Sequence, residues 1–148
     1  PWTGLDLRAV WGYGPKWVFA VGNRGTLLRF DGERWSQLAT RVLADLHGVW
    51  GLSATEVVAV GKGGTVLRWN KGRITRERTP ISQTLVDVWG SGSNAVFAVS
   101  RQGGIVRFDG KAWRVEHSPA ACLTSLAGGS ATGVLAVGCH GSVLRWNP

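Results

Sequence analysis

An all-β chain built from four repeats follows from three features of the sequence. A set of landmarks recurs every 38 or 39 residues, short apolar runs alternate with glycine turns, and no 3.6-residue periodicity is present. Trp11-Gly12, Trp50-Gly51 and Trp89-Gly90 stand 39 residues apart, and Ala127-Gly128 follows 38 later. Ala20-Val21-Gly22 recurs as Ala59-Val60-Gly61, Ala98-Val99-Ser100 and Ala136-Val137-Gly138. Arg29-Phe30-Asp31 returns as Arg68-Trp69-Asn70, Arg107-Phe108-Asp109 and Arg145-Trp146-Asn147. Trp35, Ile74 and Trp113 share a further register.

Each unit reads as four short strands in order. In the third unit the first runs from Leu85 to Trp89, and a turn of small residues (91–94) follows it. The second strand is Val96 to Val99, ended by Gln102-Gly103, and the third is Gly104 to Phe108. Asp109-Gly110 turns the chain, because glycine reaches the positive φ that tight hairpins require, and the fourth strand carries Trp113. A four-stranded antiparallel unit at this period is a β-propeller blade. The expectation is one propeller domain over 1–148, with repeats at about 5–38, 44–77, 83–116 and 121–148. The last unit stops before its fourth strand, so residues 1–4 are expected to complete it, with Trp2 in the place of Trp35 and Trp113. Four blades then close as a monomer; the alternatives are half of an eight-bladed ring shared with a two-fold partner, or a piece of a longer propeller. A chain opening on Pro1 is expected to be a mature product or an excised piece.

The blade pattern of apolar-Trp-Gly, Val-Phe-Ala-Val, Gly-Thr-x-Leu-Arg and Asp-Gly-x-x-Trp resembles BNR-type propellers. That group includes the photosystem II assembly factors and repeat-rich secreted proteins of myxobacteria. The resemblance spans all four units and implies a propeller fold. It departs from the sialidase Asp-box, since Gly32 directly follows Asp31 and Trp35 comes four residues after that Asp.

Composition narrows the function classes. The 148 residues carry 17 Lys and Arg against 9 Asp and Glu, with 44% hydrophobic residues, 22 Gly and 9 Trp. This is too apolar for an intrinsically disordered chain, and no run approaches the length of a membrane-spanning helix. A net charge of +8 favours anionic partners without naming one. The tryptophans repeat in register, which points to packing between blades. Trp17 has no aromatic counterpart and is expected to be exposed and available. Arg29, Arg68, Arg107 and Arg145 are expected to lie on aromatic neighbours and pair with carboxylates or carbonyls. The basic stretch from Lys71 to Arg78 reads as an outer strand guarded by charge against edge pairing, so no specific nucleic-acid partner is expected.

Catalytic and metal-ligating patterns are thin. His47, His117 and His140 fall at unrelated registers, and no His-x-x-x-His, Cys-x-x-Cys or Gly-x-Ser-x-Gly motif occurs. Asp6 and Asp45 align with Thr84 and Cys122, so no ring of carboxylates lines the centre. No enzyme activity, cofactor or metal is expected. Cys122 and Cys139 flank a hairpin turn expected between Ser130 and Ala131, which sets them opposite each other as a disulfide pair and implies an extracellular or periplasmic setting. The expected function is non-enzymatic recognition of a glycan or protein, acidic in character. The turns between second and third strands place Arg24, Lys62, Arg101 and His140 on one rim, and the connections between blades add Arg41, Arg78 and His117. The alternative is a scaffold domain of a larger secreted or surface protein.

Overall fold

The computed structural model describes residues 3–116, 122–130 and 133–146. It forms four antiparallel sheets in chain order. The first holds β1 (Leu7–Gly12), β2 (Val18–Gly22), β3 (Leu27–Phe30) and β4 (Trp35–Gln37). The second holds β5 (Leu46–Ser53), β6 (Glu56–Gly61), β7 (Thr65–Asn70) and β8 (Arg73–Glu77). The third holds β9 (Leu85–Gly92), β10 (Ala95–Ser100), β11 (Ile105–Phe108) and β12 (Trp113–Glu116). The fourth has three described strands, β13 (Ser125–Gly128), β14 (Val134–Val137) and β15 (Val143–Trp146). Among the described residues helix is confined to single 3-10 turns after β2, β6 and β14, and no helix is long and apolar enough to cross a membrane.

Each sheet is a meander, and the first strands β1, β5, β9 and β13 contact one another in sequence as the inner strands of successive blades. Asp31-Gly32 and Asp109-Gly110 make the predicted hairpins by a division of labour. The glycines take φ of 103° and 94°, while the Asp31 carboxylate accepts from the Glu33 and Arg34 amides and Asp109 from those of Lys111 and Ala112. These bonds hold both carboxyls below the ordinary Asp value, and at Asp109 the Arg114 guanidinium adds to the effect.

Because strand side chains alternate, every blade has a leading face toward the next blade and a trailing face toward the previous one. Phe19, Val21 and Leu27 lead from the first blade into Leu46, Val49, Val57 and Leu67 of the second. Val58, Val60 and Val66 lead from the second into Leu85, Val88, Val96 and Val106 of the third. Phe97, Val99 and Ile105 lead from the third into Leu123, Val134 and Ala136 of the fourth. A tryptophan on each of the first three inner strands, Trp11, Trp50 and Trp89, locks the seam to the next blade. A Cβ on Gly51 would overlap the Trp11 ring, one on Gly128 would overlap Trp89, and the Trp50 indole N–H donates to the Gly90 carbonyl at 2.8 Å. Glycine is required at Gly51 and Gly128 because the preceding blade's ring occupies the side-chain position.

The expectation that the four blades seal into a ring of their own is corrected. On the trailing face of the first blade Leu7 is 51% and Val10 68% exposed, and on the leading face of the fourth Leu135 and Val137 are each 43% and Val143 67% exposed. Those two faces do not pack on each other. The strand exchange expected through Trp2 lies outside the described residues, while Thr3 and Gly4 belong to no strand.

Candidate functional site

The turns between second and third strands and the connections between blades share one rim. The Thr40 hydroxyl donates to the Gly25 carbonyl and that of Thr79 to the Gly64 carbonyl, both at 2.8 Å. The Gly64 amide donates to Gln83, and the Arg24 amide reaches across the first seam to the Asp45 carboxylate at 2.9 Å. That bond, before the nearby Arg8 and Lys62 cations, holds the Asp45 carboxyl below its ordinary value.

At the inner end of this rim a groove of about 510 Å³ crosses the inner strands. Arg8, His47, Val86 and Thr124 line it from one register position of the four blades, and Thr84, Arg101 and Gln102 complete it. None of these lining residues is acidic. Partial burial, then the charge of Arg8 and of Arg101, pushes the His47 imidazole below the ordinary histidine value, against the opposing pull of Asp45. Arg8 is held by a bond from its Nε–H to Asn23 Oδ1 at 2.6 Å, so its guanidinium is oriented while remaining exposed.

Of the expected rim residues, Arg101 lies in this groove. Arg24 and His140 occupy left-handed positions of their turns at φ 54°, and Lys62 opens its turn one position earlier in the repeat. All three are exposed. Arg78 lines a separate hollow of about 440 Å³ beside Arg76, and Arg41 one of about 520 Å³ beside Arg73, both nearer the outer edge. His117 lies outside the described residues. The groove therefore gathers Arg8 and His47, which residue-type matching across repeats passes over because their register pairs an Arg with a His.

The remaining candidates have structural partners. Trp17 is corrected: it is half-buried against the first seam, with the Arg29 guanidinium 4.3 Å above its ring. The recurrent arginines extend forward over the next blade, Arg68 onto Phe108 at 4.7 Å and Arg107 onto Trp146 at 5.0 Å. Arg68 also binds Glu56 and Glu77 at 2.6 and 2.5 Å, and Glu77 accepts from the Trp113 indole of the third blade. Of the inner-strand carboxylates, Asp87 accepts from Ser125 and the Leu126 amide in the fourth blade. The stretch from Lys71 to Arg78 contains β8, the edge strand of its sheet.

Cys122 and Cys139 form a disulfide with Cα atoms 5.4 Å apart. The register differs by one residue from the expectation, since Leu126 pairs with Ala136 and Gly128 with Val134. The inner strands of the first two blades are bulged at the corresponding point, between Leu7 and Ala9 and between Leu46 and Gly48. A slip of that one residue sets the cysteines face to face.

Meander sheets stacked through their faces, inner strand against inner strand, define a β-propeller. The chain is similar to solved structures of that fold. One is "YCF48 bound to D1 peptide", 18% identical over 97% of this chain and 50% of that one, with a TM-score of 0.73. Another is YCF48 from Cyanidioschyzon merolae, 20% identical over 97% of this chain and 54% of that one, again at 0.73. The chain thus spans about half the length of these neighbours, and at such identity the likeness concerns the fold. It accords with the resemblance of the repeats to photosystem II assembly factor propellers. No protein-family model matches the chain, and no curated protein sequence does.

Proposed function

We propose that this propeller is a non-enzymatic protein-binding module that takes an acidic segment of its partner into the groove at the inner end of the turn-bearing rim. The observation that carries the reading is the convergence of Arg8, His47 and Arg101 from three blades on a cleft with no acidic lining residue. An acidic segment supplies carboxylates for Arg8, His47 and Arg101, and Gln102, Thr84 and Thr124 offer hydrogen bonds beside them. The peptide-bound YCF48 neighbour supports a protein ligand over a glycan. The Cys122–Cys139 bond supports an oxidising setting, extracellular or periplasmic.

Fluorescence anisotropy with a labelled Glu-rich peptide, its Gln counterpart and a sulfated polysaccharide tests the reading. The Glu peptide is expected to bind, the Gln peptide to bind at least about tenfold more weakly, and Arg8→Ser with Arg101→Ser to abolish the difference. A bound anion favours the imidazolium, so affinity should rise as the pH falls from 7.5 through the depressed His47 value, and His47→Gln should flatten that rise. Equal affinity for both peptides, or indifference to the arginine substitutions, overturns the proposal. Binding of the polysaccharide alone moves the ligand from protein to glycan.

A further inference from the structure

The exposed faces of the first and fourth blades are complementary by the same rules that build the three internal seams. Leu135, Val137 and Val143 stand at the leading-face positions filled elsewhere by Phe19, Val21 and Leu27. Leu7 and Val10 stand at the trailing-face positions of Leu46 and Val49, which are buried in the first seam. The arginine register extends the pattern. Arg29 reaches Trp69, Arg68 reaches Phe108 and Arg107 reaches Trp146, each one blade on. Arg145 is exposed, with no blade ahead of it among the described residues, and the position equivalent to those aromatics in a first blade is Phe30.

We propose that the occupant of both faces is a second copy of this chain, joined head to tail at two identical seams to give an eight-bladed ring. The leading face of one copy's fourth blade covers the trailing face of the other's first blade, with Arg145 over Phe30 at each junction. Two copies also supply about the length of the single-chain neighbours, of which one copy matches half. The same operation repeated closes the ring, so the assembly has two-fold symmetry and no free seam. These junctions lack the indole lock, because the fourth blade carries Ala127 where the others carry Trp, and Gly12 has no ring over it. The dimer is therefore weaker at its junctions than within each chain.

Light scattering and sedimentation across a dilution series test this on the 148-residue chain. The expected particle has twice the 15.9 kDa chain mass, dissociating on dilution. Val10→Glu and Val143→Lys should each weaken association by about a hundredfold, since either buries a charge in both junctions. Mixing the two variants should restore a dimer, because one junction is then wild type and the other sets Glu against Lys. A variant that simply fails to fold is not rescued by mixing. Ala127→Trp should tighten the dimer by supplying the missing ring over Gly12. A chain that stays monomeric at all concentrations, a dimer indifferent to Val10→Glu and Val143→Lys, or growth into open-ended oligomers overturns the proposal.

Discussion

The seam between the third and fourth blades and the bare leading face of the fourth are drawn from the same register positions. Phe97 and Leu135 are equivalent, as are Val99 and Val137, and Ile105 and Val143. The first of each pair is buried by the next blade and the second stands in solvent. What distinguishes a core residue from a surface residue here is the presence of a neighbour, since position in the strand and side-chain chemistry are matched. Stability should follow the seam and not the strand.

The sharpest test compares truncations at one register. Phe97→Ala should cost about 3–5 kcal/mol, because it empties a site packed against Trp146 and Val134. Leu135→Ala, measured by urea denaturation at a concentration that keeps the chain monomeric, should cost less than about 1 kcal/mol. Similar losses at both positions would mean that the fourth blade's leading face is covered within the chain.

A smaller effect is expected at the disulfide. The fourth blade is sealed on one face and has three described strands, so the Cys122–Cys139 bond is a larger fraction of what holds it. Replacing both cysteines with Ser should cost roughly 2–4 kcal/mol. Amide exchange should quicken mainly in β13 to β15, while β5 to β7, sealed on both faces, keep their protection. Uniform acceleration across all blades would show that the chain opens as one unit.

The smallest effect concerns the hairpins. Asp109 titrates well below its ordinary value of 3.8 in the folded chain. A lowered folded value means that its contribution is complete above about 3.8 and is lost as the pH falls through the folded value. Asp109→Asn should therefore flatten part of the acid limb of the stability curve and leave stability at pH 7 nearly unchanged in slope. A steep acid limb retained by that variant would place the pH dependence in other carboxylates.

The fold was legible because its information is local. Trp-Gly, Ala-Val-Gly and Arg-aromatic-Asp each act within one strand or across one turn, and their spacing counts blades directly. Ring closure was not legible. It depends on the small rotation between successive blades, which no single landmark of the repeat encodes. The rim was readable for a similar reason to the strands, since turn position follows from strand order. The groove was harder, because it assembles Arg8, His47, Val86 and Thr124, four different residue types at one register. Searching that register for basic side chains instead of identity finds two of the groove's three, Arg8 and His47. Trp17 misled because a residue without aromatic counterparts looks free, whereas the Arg29 guanidinium that covers it belongs to the repeat.

The indole lock also gives the stack a direction. Every complete unit offers a ring on one side and a glycine hollow on the other, so a blade reversed in the series would set ring against ring or hollow against hollow. Whole units can therefore be added or removed in register without creating a mismatched joint, much as tongue-and-groove boards extend a floor in one sense. Gene duplication in steps of 39 codons needs no compensating change to lengthen such a protein. The departure from this rule within the chain is correspondingly small: at Ala127 the tongue has been planed away.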